Sequence, residues 1–98
     1  APFTARIGQS VLQGTIDRLV IGPDTIRIVD FKSNTVVPAH ARDVPEGILA
    51  QMGAYVACLR QIYPDHDVRP FILWTRTAWL MPLDADIVRA ALERTAIP

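Results

Sequence analysis

The chain has 98 residues, which is enough for one compact domain and too little for two. Half of its residues are hydrophobic and a fifth are charged, a balance that supports a buried core and excludes a disordered tail. Ten basic residues balance ten acidic ones, so the chain is not a strongly basic nucleic-acid module. No apolar run approaches the roughly 18 residues of a membrane span. The single cysteine, Cys58, excludes an internal disulfide framework and fits a reduced cytosolic setting.

The first third of the chain has the pattern of β-strands. Residues 5–7 and 10–12 are extended segments, and residues 14–21 continue them, as two strands or as one bent strand. Gly22–Asp24 is a turn signal, because proline presets φ at a turn corner and its neighbours here tolerate turn conformations. Thr25–Lys32 alternates apolar and polar side chains and is rich in β-branched residues, so it predicts a strand.

The second half changes to a helical period. One apolar stripe runs from Glu46 to Tyr63 with helical spacing, and Pro64 follows where a helix must stop. The stripe consists of Ile48, Met52, Tyr55, Leu59 and Ile62. Residues 68–75 and 79–83 predict two further strands, and Asp84 is suited to cap a last helix that runs to Glu93. The order β-β-β-α-β-(β)-α predicts an α/β fold.

The predicted hairpin brings two carboxylates together. If Pro23 and Asp24 form its tight loop, then Asp17 and Asp30 are cross-strand partners, with Cβ atoms about 4.5–5.5 Å apart. Lys32, the only lysine in the chain, lies two residues beyond Asp30 and therefore on the same face. A slip of one residue in the register would move Asp17 to the opposite face.

Two opposed carboxylates on an otherwise apolar face predict a cation site. The carboxylates repel, and burial increases the cost of ionising both of them. A divalent cation removes this conflict, and hard oxygen ligands suit Mg²⁺, with Mn²⁺ as a substitute. An ammonium such as that of Lys32 could then orient a water beside the metal, which is an arrangement that hydrolyses phosphodiesters. The alternative is that Asp30 and Lys32 form a modest surface ion pair.

The predicted central helix adds two polar side chains. Gln51 and Tyr55 are four residues apart, so they share one helix face near the apolar stripe. They could reach the face with the carboxylates and hold a phosphate or a water. Alternatively, Tyr55 lies in the core and Gln51 faces solvent. His40, His66 and Ser33 have no companion residues at the spacing of a metal site or a catalytic triad, and Cys58 is expected to be a small buried hydrophobe.

Three ordered motifs resemble those of the PD-(D/E)xK nuclease superfamily, and more narrowly its RecB-like branch. They are residues 14–19 (Gly-Thr-Ile-Asp-Arg-Leu), residues 28–34 (Ile-Val-Asp-Phe-Lys-Ser-Asn) and residues 51–55 (Gln-Met-Gly-Ala-Tyr). Residues 62–64 and 73–75 are similar to segments in the C-terminal nuclease domain of the AddA subunit of bacterial AddAB helicase–nucleases. The resemblance runs from about Phe3 to Leu83.

The resemblance implies a restriction-endonuclease-like core, with a mixed sheet flanked by helices and the site on an antiparallel hairpin. It implies that Asp17 and Asp30 bind the metal, with the backbone carbonyl of Phe31 as a third ligand. Lys32 would assist the attacking water, while Gln51 and Tyr55 would support the site or contact DNA.

The resemblance also implies a biological setting. Residues 1–98 would be one nuclease domain of a larger cytoplasmic bacterial helicase–nuclease, with an AddB partner, helicase domains in the parent chain and a role in double-strand break repair. Family members usually have a helix before the first strand that supplies a His or Glu to the metal, and they often carry an aromatic and a basic residue where this chain has Ile48 and Ala50. The alternative function is therefore a catalytically degenerate module for DNA binding or subunit docking.

Overall fold

The computed structural model describes residues 2–7 and 10–96, in two sheets and two helices. The strands are Pro2–Ile7 (β1), Ser10–Thr15 (β2), Arg18–Ile21 (β3), Thr25–Lys32 (β4), Asp67–Trp74 (β5) and Trp79–Pro82 (β6); the helices are Glu46–Ile62 (α1) and Ala85–Ala96 (α2). A 3₁₀ turn at Ala41–Asp43, which the sequence patterns did not indicate, precedes α1. Within the described ranges, neither helix is long and apolar enough to cross a membrane.

A hairpin and a mixed sheet make up the β-structure. Strands β1 and β2 pair antiparallel by themselves, and the larger sheet has the order β3-β4-β5-β6. Strand β4 is antiparallel to β3 and parallel to β5, while β6 returns antiparallel beside β5. The parallel pair requires a crossover, which α1 supplies between β4 and β5. The predicted α/β class and the mixed sheet flanked by helices are confirmed.

The hairpin of β3 and β4 has the predicted register. Arg18 pairs with Val29 and Ile21 pairs with Ile26, and the amide of Gly22 donates to the carbonyl of Thr25 at 2.8 Å, which closes the two-residue loop. The ladder stops at Arg18, so β2 and β3 are separated by a break at Ile16 and Asp17. Asp17 therefore lies just outside the strand ladder, at the end of the hairpin.

One face of the sheet packs against α1. This core face carries Ile26 and Ile28 of β4, and it continues through the even-numbered residues of β5 because parallel neighbours share a face. The fully buried side chains of the core face and of α1 form one cluster that includes Ile72, Trp74 and Met52. Ile21 lies on the same face, but it is 48% exposed on the edge strand β3, whereas its partner Ile26 on β4 is fully buried.

Proline and glycine have specific places in this packing. Pro70 lies within β5, beside the end of β6, and its carbonyl accepts from the amide of Leu83 just beyond that end. Gly53 brings α1 against α2 so closely that a Cβ there would lie 2.2 Å from the carbonyl oxygen of Val88. Helix α2 begins as predicted, because Asp84 Oδ1 accepts from the amide of Asp86 at 2.7 Å.

Candidate active site

The structure brings Asp17 and Asp30 together at the end of the hairpin. Asp30 points from β4 into the core face and is 7% exposed, whereas Asp17 is exposed at the break before β3. Each carboxyl group is close enough to shift the pKa of the other. The Oδ2 atom of Asp17 also accepts from the amide of Phe31 at 2.8 Å, which fixes the carboxylate beside β4.

The two carboxyl groups have opposite protonation tendencies. Burial raises the pKa of Asp30, and the neighbouring Asp17 raises it further, although the nearby Lys32 ammonium acts in the other direction. The backbone hydrogen bond from Phe31 lowers the pKa of Asp17, and the hydrogen bond with Asp30 lowers it further. Of the two carboxyl groups, Asp30 is therefore the one that takes up a proton more readily, and Asp17 the one that stays ionised more readily.

Lys32 completes a cluster of three charged side chains. Its Nζ atom lies 3.0 Å from Oδ2 of Asp30, and the lysine side chain is 26% exposed, so it stands between the core and solvent. Although this contact is close, the buried Oδ2 of Asp30 has no hydrogen-bond partner among the described residues. The distance from Lys32 Nζ to Asp30 Oδ2 is that of an ion pair, but its geometry is not that of a hydrogen bond. Oδ2 of Asp30 can therefore still coordinate a cation.

The carbonyl of Phe31 faces the same edge as Asp17. In a strand, the N–H and C=O of one residue point to the same side, and the Phe31 amide is directed to Asp17. The next residue alternates, since the carbonyl of Lys32 accepts from the amide of Thr75 at 2.9 Å on the β5 side. The Phe31 carbonyl therefore lies on the β3 side of β4, beside the acidic pair.

Helix α1 places Tyr55 near the pair and Gln51 on the surface. Tyr55 is 3% exposed, and burial, followed by the charges of Asp30 and Asp17, raises the pKa of its hydroxyl. The phenol is therefore within electrostatic range of both carboxylates. Gln51 is exposed one turn earlier. Of the two arrangements considered for these residues, the structure has Tyr55 in the core and Gln51 facing solvent.

Two residues of β5 and its following turn support the site and were missed by the sequence patterns. Trp74 is the register partner of Lys32 on the core face, and its fully buried indole N–H has no hydrogen-bond partner within the described residues. Thr75 holds the end of β4, because its amide and its hydroxyl both donate to the Lys32 carbonyl. Neither role has a sequence signal, since both depend on the parallel pairing of β4 with β5.

The donor set at this site suits a hard divalent cation. It offers an exposed carboxylate, a buried carboxylate with an unpartnered oxygen, and a backbone carbonyl, all of them oxygen donors. The described residues contain no group of three or more His, Cys, Asp or Glu side chains that could hold a metal. The site is therefore a two-carboxylate site, and Asp17, Asp30 and the Phe31 carbonyl are the residues that fit.

The other polar candidates lie away from this cluster. His66 is partly buried, its Nε2 lies 3.0 Å from the carbonyl oxygen of Gly22, and its ring contacts that of Tyr63 edge-on. This contact ties the region after α1 to the hairpin turn, at the opposite end of β4 from the acidic pair. Cys58 is fully buried, as expected, and burial raises the pKa of its thiol.

Comparison with known proteins agrees with this geometry. The family model of the PD-(D/E)XK nuclease superfamily matches residues 1–93, which include the hairpin of β3 and β4, helix α1, most of helix α2 and the acidic cluster. No curated protein and no solved structure matches the chain. The match covers nearly the whole chain, and the mixed sheet between helices agrees with the fold of that group. On these grounds, the chain belongs to the PD-(D/E)XK nuclease superfamily.

Proposed function

We propose that this chain is a metal-dependent deoxyribonuclease domain that hydrolyses DNA phosphodiesters. The observation that carries the proposal is the pairing of Asp17 with the buried Asp30 beside the Lys32 ammonium, with one oxygen of Asp30 lacking a hydrogen-bond partner. Membership of a nuclease superfamily supports the same reaction class.

Asp17 and Asp30 would hold the cation, with the Phe31 carbonyl as a third ligand. Mg²⁺ is the expected ion and Mn²⁺ its substitute, because all three donors are oxygens. When bound, such an ion neutralises the charge that develops on the phosphate and lowers the pKa of water. Cation binding requires both carboxylates to be ionised, so the raised pKa of Asp30 should weaken binding as the pH falls.

Lys32 would act on the water and the phosphate. Hydrolysis forms a bond from a water oxygen to phosphorus and breaks one ester P–O bond, so a water must be oriented in line with the leaving oxygen. The Lys32 ammonium, 3.0 Å from Asp30, is placed to donate hydrogen bonds to such a water or to a phosphate oxygen. Tyr55 would support the carboxylates from the core, and the exposed Gln51 would contact DNA.

The three ordered motifs support a narrower assignment. We infer that residues 1–98 are one RecB-like domain, similar to the C-terminal nuclease domain of AddA, within a larger cytoplasmic bacterial helicase–nuclease. Its partners would be DNA, an AddB-type subunit and helicase domains of the parent chain, and its reaction would be exonucleolytic processing of double-strand breaks. In such a parent protein, Asp30→Ala should abolish strand cleavage and leave ATP-driven unwinding largely intact. Loss of both activities in a folded variant would contradict this assignment.

The chain itself allows a direct test. We would measure cleavage of end-labelled single-stranded and duplex DNA with Mg²⁺, with Mn²⁺ and with EDTA, and titrate Mn²⁺ calorimetrically into the same samples. Asp30→Asn should abolish both cleavage and Mn²⁺ binding, because it removes the buried ligand while nearly preserving its shape. Asp43→Asn is the matched control, since Asp43 is an exposed carboxylate in the 3₁₀ turn.

The outcomes separate the two candidate functions. Cleavage and Mn²⁺ binding that disappear in Asp30→Asn and persist in Asp43→Asn would support the nuclease. A folded wild-type chain that binds DNA but neither binds Mn²⁺ nor cleaves would contradict catalysis by this chain and favour the degenerate binding or docking module. The zero formal net charge of the chain is the observation that favours this second candidate function.

A further inference from the structure

The face of the sheet opposite the acidic pair carries a row of arginines. Asp30 and Lys32 lie on the core face, so the alternate residues of each strand lie on the outer face. Arg18 of β3, Arg27 of β4 and Arg69 of β5 are all on this outer face and all exposed. We refer to these residues as the arginine row.

The strand register places these arginines next to one another. Arg27 and Arg69 are direct partners in the parallel pair, in strands about 4.8 Å apart. Arg18 pairs with Val29, which puts it diagonally across from Arg27, within reach of a long side chain. Like charges on directly opposed positions destabilise a sheet, so this arrangement has a cost in the free protein. A bound anion would remove that cost.

Carboxylates do not neutralise the row. Asp67, also on the outer face, forms an ion pair with Arg69 at 2.8 Å, in which both side chains are 58% exposed. Within residues 2–7 and 10–96, no carboxylate lies within 4.0 Å of Arg18 or Arg27. At the turn of the hairpin, Asp24 and Arg27 line a shallow cavity of about 260 Å³. Two guanidinium groups of the row are therefore available to a ligand.

We propose that the arginine row binds phosphates of a nucleic-acid strand, at a contact separate from the acidic pair. A guanidinium presents a planar fork of donors that matches a phosphate, and neighbouring forks suit a polyanion better than a single ion. Acidic peptides share part of this chemistry. A nucleic acid is favoured because the proposal rests on the proposed function, in which the same chain hydrolyses phosphodiesters.

The location of the row fits a strand that also reaches the active site. Arg18 directly follows Asp17, so the row begins at the end of β3 where the acidic pair lies. Strand β3 is at the edge of the larger sheet as described, so a polynucleotide can pass around this edge from one face to the other. The arginine row would then hold the strand on the outer face while a phosphodiester lies beside Asp17 on the other.

Binding measurements without hydrolysis test this proposal. The anisotropy of a fluorescent single-stranded oligonucleotide would be followed in EDTA over a series of salt concentrations, with a duplex of the same sequence alongside. The double variant Arg27→Gln/Arg69→Gln should weaken binding about tenfold at low salt, and on single strands the slope of log K against log salt should fall by about 0.7 for each arginine–phosphate ion pair removed. Asp67→Asn should tighten binding instead, because it frees the guanidinium of Arg69.

Arg60→Gln is the matched control. Arg60 is an exposed arginine on α1, outside the strands that carry the arginine row, and no carboxylate lies within 4.0 Å of it in the described part of the chain. The proposal is overturned if the row variant and Arg60→Gln have equal affinities and salt slopes. It is also overturned if polyglutamate binds to the row while the oligonucleotides do not.

This test is independent of the active-site test. The row variants should bind Mn²⁺ as the wild type does, and the row substitutions should weaken oligonucleotide binding by the same factor in the Asp30→Asn background as in the wild-type chain. Loss of oligonucleotide binding in the row variants of a chain that does not cleave would support the row and contradict the nuclease. If the wild-type chain cleaves DNA and the row variants bind the oligonucleotide as tightly as it does, the nuclease proposal is supported and the arginine-row proposal is contradicted.

Discussion

Gly53→Ala probes the closest contact between the two helices. A Cβ at this position would lie 2.2 Å from the carbonyl oxygen of Val88 and 3.0 Å from Cβ of Leu92, whereas ordinary contact begins at 3.4 Å. Two of the atoms that it meets belong to the backbone of α2, so rotation of a side chain cannot relieve the overlap. Helix α2 must therefore move away from α1 by about 1 Å. Such a shift is costly because protein interiors are close-packed.

The expected magnitude follows from two opposing effects. Overpacking in a rigid interior costs about 1–3 kcal/mol, and a clash with backbone belongs at the upper end of that range. Alanine in place of glycine within a helix returns about 1 kcal/mol of helix propensity. The variant should therefore lose about 2 kcal/mol of unfolding free energy, with a melting temperature about 8–16 °C lower in a chain of this size.

Gly47→Ala is the matched control and should have the opposite sign. A Cβ at Gly47, in the first turn of α1, would meet no atom within 4 Å, so only the propensity gain remains. Urea unfolding of wild type and both variants, followed by far-UV circular dichroism and by the fluorescence of the buried Trp74, measures the two free energies. If Gly53→Ala were as stable as Gly47→Ala, the close packing of α1 on α2 would be refuted.

Two further predictions concern the acidic pair and a helix cap. In metal-free protein, the raised pKa of Asp30 contributes stability that is fully present below the ordinary aspartate value and is lost as the pH rises through the folded pKa. The lowered pKa of Asp17 contributes stability that is fully present above the ordinary value and is lost as the pH falls through the folded pKa. Chemical unfolding of Asp30→Asn should therefore show stability that falls less than that of wild type between acidic and neutral pH, and parallel curves would contradict the buried-carboxyl argument. Asp84→Ala should cost about 1 kcal/mol in thermal unfolding, because it removes the cap on the Asp86 amide, while Asp84→Asn should restore most of the loss.

The sequence predicted the hairpin that carries the candidate site. The turn residues Gly22–Asp24 and the alternation of Thr25–Lys32 act locally, since φ preferences and the two-residue period do not depend on the rest of the chain. They set the register of β3 against β4, in agreement with the observed pairing of Arg18 with Val29; Asp17 directly precedes Arg18, and Asp30 directly follows Val29. The bounds of α1 and the cap at Asp84 were predictable for the same reason.

Residues whose roles depend on distant contacts could not be predicted in this way. Spacing alone left the position of Tyr55 open, because burial of one helix face depends on which sheet face it covers. The exposure of Ile21 and the partial burial of His66 likewise depend on how far α1 extends over the hairpin turn. The electrostatic state of the site also depends on packing, since burial is the largest influence on the pKa of Asp30.

The sequence by itself determined the strands, the helices, the hairpin register and the pairing of two carboxylates near the only lysine, because each of these follows from local periodicity and turn chemistry. Only the tertiary structure decided that β5 lies parallel to β4, since a parallel pair is formed through a long crossover and has no local signal. That pairing buries Asp30, places Trp74 opposite Lys32 and aligns Arg27 with Arg69 on the outer face. The charge that each face of the sheet presents is therefore a property of strand order, which no single segment of the chain encodes.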